Sequence, residues 1–219
     1  MHHHHHHHHA ADADNETIWD GIYRERPERP WDGGANAILI DVASPLPAGT
    51  ALDLGCGEGS DALWLATRGW RVTAVDVSAT ALARVAARAE AAGVGDRMAT
   101  ERHDLGSTFP AGHFDLVSAH YVCSPVGLPR EHFLPLAARA VAPGGVLLVV
   151  EHASVAPWSG NQDPAARFPT PEEIMATLAL EPDAWKAERL ETAWRPATGP
   201  NGETGEVADN VVAVRRIAG

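Results

Sequence analysis

Residues 52–60 read LDLGCGEGS. A short apolar run carries Asp53 and ends at Leu54, after which Gly55, Gly57 and Gly59 alternate with Cys56 and Glu58. Alternate glycines remove side chains where a backbone must turn sharply or be approached closely. Ala51–Leu54 reads as a strand and Ser60–Arg68 as a helix. Strand, glycine loop and helix start together form a cradle for the polar part of a ligand.

Outward from this loop the pattern alternates. Trp70–Val75 is a strand. Ser78 caps a helix to about Ala92, with Leu82, Val85, Ala86 and Ala89 at helical spacing and Gly93 as the stop. Met98–Arg102 and Phe114–Ala119 are strands, Arg130–Ala142 is a helix, and Val146–Val150 is an apolar strand after a turn at Pro143-Gly144-Gly145. Strands alternating with helices imply an α/β fold, a doubly wound, mostly parallel, Rossmann-like sheet. Thr170 and Pro171 open a short helix through Leu178. Trp185–Trp194 and Val207–Arg216, around a turn at Pro196–Gly205, predict a C-terminal antiparallel hairpin. Upstream, Ala35–Ala43 is a short helix, and residues 10–34, with their prolines, glycines and mixed charge, read as an irregular arm or lid.

Composition bounds the function. The chain has 219 residues, 45% of them hydrophobic, and a formal net charge of −12. Met1–His9 is a polyhistidine expression tag outside the fold. About 210 residues then suit a single domain over 35–219, with an insertion near 153–180. An acidic chain repels nucleic-acid phosphates and anionic membranes, which favours small-molecule partners. No apolar run is long enough to span a bilayer. Two cysteines, Cys56 and Cys123, without a CxxC pair argue against a disulfide framework and for a reducing, cytoplasmic setting. No spacing of His113, His132 or His103, read as surface or turn residues, suggests a metal.

The loop departs from the dinucleotide fingerprint GxGxxG, because Ser60 stands where the third glycine would be. Asp53 and Glu58 add negative charge where a pyrophosphate would lie. At an effective dielectric of about 20, like charges roughly 4 Å apart repel by about 4 kcal/mol. A cationic ligand without phosphate fits better, and S-adenosylmethionine, with its sulfonium and ammonium, is one. Asp76 in VDVS is placed to accept from ribose hydroxyls, and Asp104 in HDL from an adenine amine.

The stretch ALDLGCGEGSDALWLATRGWRVTAVDVSATAL, with HDL, FDLVSAHY and VAPGGVLLVVE after it, resembles the class I S-adenosylmethionine-dependent methyltransferases over roughly residues 36–152. WLATRGWRVTAVDVS is loosely similar to the branch with thiopurine and tellurite methyltransferases. The resemblance implies a seven-stranded sheet with the last strand antiparallel. It implies cofactor contacts from Asp53, Gly55, Cys56, Gly57 and Gly59 to the methionine part, from Asp76 and Val77 to the ribose, and from Asp104 and Leu105 to the adenine, with His120 and Trp31 near the cofactor and no metal.

Methyl transfer needs alignment of donor and acceptor and exclusion of water, and a base only if the acceptor arrives protonated. His120 and Tyr121 end one strand, and Glu151 and His152 end the next. His120 or His152 serves as general base or is simply hydrogen-bonded near the cofactor. Tyr121 orients a substrate or packs, and Glu151 ends its strand in a salt bridge. Trp19, Tyr23 and Trp31 on one side, with Trp158 and Phe168 on the other, form a lid or pack ordinarily, while Trp64 and Trp70 belong to the core. Ser124-Pro125 lacks the Asn/Asp-Pro-Pro-aromatic pattern of base-amino methyltransferases. The expected acceptor is a sulfur, nitrogen, oxygen or chalcogen atom of a small molecule. A protein side chain such as imidazole and a non-catalytic sensor are the alternatives. The expected state is a monomer or homodimer, with the tag able to dock in a cleft.

Overall fold

The computed structural model describes residues 14–122, 129–160, 162–163 and 167–218. The tag, Cys123 and Ser124-Pro125 lie outside the described residues, and so does tag docking. The strands β1 (Thr50–Leu54), β2 (Arg71–Asp76), β3 (Met98–Arg102), β4 (Phe114–His120), β5 (Val141–His152), β6 (Trp185–Thr198) and β7 (Thr204–Arg216) form one sheet in the order β3-β2-β1-β4-β5-β7-β6. All pairs from β3 to β5 are parallel, and β7 runs antiparallel between β5 and β6. The chain reverses its direction of winding between β1 and β4, the place where open α/β sheets hold ligands beyond their strand ends.

Alternation along the strands feeds two cores. Ala51, Val72, Ala74, Leu116, Leu148 and Val150 face one side, where α2 (Ala37–Ala43), α3 (Ser60–Thr67) and α4 (Ala79–Ala91) pack. Trp64 and Trp70 are buried there, as expected. Leu52, Leu54, Val117, Leu147 and Val149 face the other, against α5 (Arg130–Arg139) and α6 (Pro171–Thr177). β5 is buried on both faces, which explains its unbroken apolar run. Caps set the helix starts. Ser78 accepts from the Ala81 amide at 3.1 Å, and Thr170 and Glu173 form a reciprocal capping box on α6.

Three segments differ from expectation. Residues 15–25 form a helix, α1 (Asn15–Glu25), not an irregular arm. Asp14 caps it by accepting from Thr17 N at 2.8 Å, and Trp19 and Tyr23, one turn apart, share its inner face with ring centroids 6.1 Å apart. The expected turn at Pro143-Gly144-Gly145 is a bulge inside β5, where the register moves from Phe114↔Val141 to Leu116↔Val146. A Cβ at Gly145 would lie 2.9 Å from the Ala142 and Asp115 carbonyl oxygens. The hairpin strands run further than expected, through Thr198 and from Thr204, so the turn shrinks to 199–203, closed by Gly199 N to Glu203 O at 2.7 Å. Pro196 is tolerated because β6 is an edge strand, where a missing N–H costs no ladder bond.

Candidate active site: two clefts at the strand ends

The glycine loop packs into the protein as much as it opens to a ligand. Gly59, the N-cap of α3, has φ +89°, and a Cβ there would lie 2.7 Å from Val85 Cγ2 of α4. Gly57 has φ +57°, and a Cβ would lie 3.0 Å from the Tyr23 hydroxyl. The left-handed backbone and these neighbours, α4 and the α1 helix, are what forbid side chains.

Beyond the loop lies a cleft enclosing about 100 Å³ of free space. Gly55, Asp76, Val77, Leu105 and Tyr121 line it, all of them named from sequence. Asn15, Trp19 and Tyr23 of α1 form part of its wall, with His103 and Val122. His103 was expected on the surface. It is drawn in because its ring nitrogens bond Thr108 Oγ1 at 2.9 Å and Glu101 Oε1 at 3.1 Å. Asp20 pins α1 over the cleft by accepting from Ser78 Oγ at 2.8 Å and Thr80 N at 2.9 Å, and the Thr80 bond lowers its pKa to about 2.

Asp76 holds the loop, accepting from Gly57 N at 2.9 Å and Ser78 N at 3.0 Å. Burial raises its pKa. A carboxylate has about four acceptor sites, so two bonds leave capacity for ligand hydroxyls. Asp53 is 3% exposed, and its Oδ2 is buried without a hydrogen-bond partner. Burial, then Asp61 and Asp76, push its pKa well above the carboxylate range. A cation brought beside it favours the charged form. Burial likewise keeps the Cys56 thiol protonated, helped by Asp53 and Asp76. Asp104 stands beside the cleft, accepting from Asn15 Nδ2 at 3.5 Å and Gly106 N at 3.2 Å. Trp31 lies apart from the cleft lining, packed against the core of α2 and α3, with its indole N–H on Gly34 O at 2.8 Å.

Glu58 corrects the charge argument drawn from sequence. It pairs with Arg84 at 3.5 Å and Arg88 at 3.3 Å, and it does not line the cleft. The acidic character of the cleft lining rests on Asp76, while Asp53 is buried outside that lining. An unpartnered buried carboxyl oxygen, an acceptor at the end of β2 and an apolar wall of Leu105, Val77 and Trp19 suit S-adenosylmethionine: its cationic methionine end, its ribose and its adenine. The residues present fit that group.

His120 is not among the cleft-lining residues. Its side chain is 8% exposed, with Nδ1 2.9 Å from Ser118 Oγ and 3.4 Å from Asp61 Oδ2, while Nε2 is buried without a partner. Burial lowers its pKa against the pull of Asp61 and Asp209. Asp61 also accepts from the Asn36 amide at 2.8 Å, tying α2 to α3.

A second cleft of about 470 Å³ opens beyond β5 and the hairpin, lined by His152, Trp158, Phe168, Arg195, Thr198 and Val207 among others. The aromatic residues expected to flank the ligand end thus divide, Trp19 and Tyr23 to the first cleft and Trp158 and Phe168 to the second. The ring of Tyr121, which lines the first cleft, stacks on His152 of the second. Burial lowers the His152 pKa, so its imidazole is neutral and able to take a proton. Tyr121 adopts φ +53° and donates its hydroxyl to Asp209 Oδ1 at 2.8 Å. Burial and that bond push its pKa up to about 12. Asp209 Oδ2 accepts from Arg195 Nε at 2.8 Å. Glu151 ends β5 in a bidentate pair with Arg130, as expected. No group of three or more His, Cys, Asp or Glu able to hold a metal is found among the described residues, and no helix among them is long and apolar enough to cross a membrane.

Arg195 and Asp209 escaped the sequence reading. The available signal was Asp209 itself, a charge inside the apolar run VADNVVAV. Such a residue on a buried strand demands a partner.

Residues 51–145 match the family described as a methyltransferase domain. The ubiquinone biosynthesis O-methyltransferase of Caulobacter vibrioides is 33% identical over 186 residues, 77% of this chain and 69% of that protein. Among solved structures, one described as the conversion of a disulfide bond into a thioacetal group during echinomycin biosynthesis superposes with a TM-score of 0.67 at 23% identity, covering 91% of each chain. TehB from Haemophilus influenzae superposes with a TM-score of 0.65 at 17% identity, covering 83% of this chain and 62% of the other. These two likenesses are of fold.

Proposed function

The chain belongs to the class I S-adenosylmethionine-dependent methyltransferases, and from that footing we propose that it methylates a hydroxyl oxygen of a small molecule, with cofactor in the first cleft and acceptor in the second. The observation that carries the reading is the Tyr121–His152 stack, 4.3 Å between centroids, standing between an acidic cleft and one with a neutral imidazole. The likeness to an O-methyltransferase supports oxygen as the acceptor atom, and the net charge of −12 disfavours nucleic acid.

S-adenosylmethionine bound in the first cleft would supply an activated methyl group, which would pass to the acceptor oxygen and leave S-adenosylhomocysteine. Asp76 orients the ribose, and Asp53 faces the cationic end. Val77 and Leu105 hold the adenine, with Asp104 at its amine. Gly55, Cys56, Gly57 and Gly59 shape the floor. The α1 helix, through Trp19 and Tyr23, excludes water. His152 takes the proton of the acceptor hydroxyl, and Tyr121 sets the position of that imidazole. His120, with Asp61, is a positioning pair that holds the end of β4 against α3.

The test is release of S-adenosylhomocysteine together with a product one methyl group heavier, across a panel of phenols, thiols and amines. Methylation of a phenol supports the reading, and transfer confined to thiols or amines contradicts the oxygen assignment.

A further inference from the structure

We propose that Arg195 selects the acceptor by binding a carboxylate, so that the preferred substrate is a hydroxylated aromatic acid. The inference rests on the reading that the second cleft receives the acceptor.

The two clefts differ in charge. Asp76 lines the first. Among the described residues lining the second, none is a carboxylate, and Arg195 is the residue that is cationic at neutral pH. Arg195 is ion-paired with Asp209 behind it, so the cleft is near neutral in a chain of net charge −12, and the guanidinium edge that faces solvent is its donor to an anion. The guanidinium is built into place. Its Nε donates to Asp209, which is fully buried, and its Nη2 reaches the Tyr121 hydroxyl at 3.5 Å. These contacts fix its plane from behind and give the side chain a pre-set orientation. Nη1 donates to no described residue, and the side chain is 41% exposed, so one edge of the fork remains for a ligand. A planar fork with free N–H donors matches a carboxylate better than a point charge would.

The remaining walls specify the body of the ligand. Trp158, Phe168 and Val207 offer apolar surface, suited to an aromatic ring. His152 stands in the same cleft for the hydroxyl. A ring carrying an acidic group toward Arg195 and a hydroxyl toward His152 satisfies all of these groups at once.

The test is calorimetry on the chain saturated with S-adenosylhomocysteine, titrated with the ortho, meta and para hydroxybenzoates and with their uncharged methyl esters. At least one acid should bind 10-fold or more tighter than its ester, as expected for a hydrogen bond to a charged group, worth roughly 10- to 100-fold. Arg195→Met should bring that ratio near one, Arg195→Lys should retain part of it, and Thr198→Trp, which fills the cleft, should weaken acid and ester alike. Affinity for S-adenosylhomocysteine should stay within about twofold in each variant, a readout that general unfolding would not spare. Should Arg195→Met unfold because Asp209 loses its partner, the Lys and Trp variants carry the comparison. Equal affinity for acid and ester, absence of binding by every acid, or an unchanged ratio in Arg195→Lys with no effect of Thr198→Trp overturns the proposal. Methylation of uncharged phenols without acid preference removes the role of Arg195 and leaves oxygen methylation standing. Acid preference without any methyl transfer does the reverse.

Discussion

The ring of Tyr121 lies on the ring of His152 with 21° between their planes, although Tyr121 follows the end of β4 and His152 ends β5. The stack joins the two clefts, and Asp209 of β7 anchors it through the Tyr121 hydroxyl. Tyr121→Phe keeps the ring and removes that anchor. It should cost about 1 kcal/mol of stability, raise KM for the acceptor, and leave cofactor affinity unchanged within about twofold. Urea melts and steady-state kinetics check both halves.

Asp76 does two jobs that one substitution removes together. Asp76→Ala strips Gly57 N and Ser78 N of their acceptor and deprives the ribose of its partner. Cofactor affinity should fall by about 1–3 kcal/mol, read by calorimetry with S-adenosylhomocysteine. Asp76→Asn, which can still accept from one amide, should lose less.

Stability should decline on the acid side. His120 and His152 both have pKa values lowered from 6.5, chiefly by burial. As pH falls through 6.5 the unfolded chain takes up protons before the folded one, so the stability of the neutral imidazoles, full above that value, is lost progressively below it. Asp53, whose pKa is raised above 3.8, works in the opposite sense. Its proton favours the folded state as pH falls, and that contribution is lost as pH rises through its folded value. His120→Asn should therefore flatten the decline below pH 6.5, measured by urea melts from about pH 5 to 7. An unchanged slope would mean that His120 does not contribute.

The fold was legible from the loop and the alternation around it because the first strands end at clear punctuation, Gly55 after β1 and Ser78 shortly after β2, whereas the glycines at 144–145, read as a turn, are a bulge within β5. The α1 helix was missed because Pro27, Pro30 and the mixed charge beyond it obscured a sound N-cap at Asp14. Asp76, at the end of β2, and Leu105, after β3, line the first cleft, where their place at strand ends puts them. The pairing of Glu58 is not legible because helical spacing puts Arg84 and Arg88 one turn apart on α4 but does not show that this face packs against the glycine loop. Arg195 reaches Asp209 diagonally across the hairpin, from beside Val207 to the partner of Ala193, and that register depends on the bulge near Arg189 and on where the turn closes.

The same arginines tie the arm down. Arg84 donates to Arg26 O at 2.8 Å and Arg88 to Arg29 O at 2.7 Å, while Arg88 also reaches Glu58 O at 3.0 Å. They link the arm, α4 and the glycine loop. Arg88→Ala should speed proteolytic cleavage within residues 26–34 and weaken cofactor binding by several-fold, with saturating S-adenosylhomocysteine restoring part of the protection. Limited proteolysis followed by mass spectrometry checks it.

The most direct test follows the methyl group. The chain is incubated with S-adenosylmethionine carrying an isotopically labelled methyl and with a hydroxybenzoate, and the small-molecule fraction is analysed by mass spectrometry and NMR. The account predicts the label in a methyl ether on the aromatic ring, with one equivalent of S-adenosylhomocysteine formed and His152→Ala abolishing the transfer. Label found on a nitrogen, a sulfur or the protein itself, with no labelled ether, would contradict it.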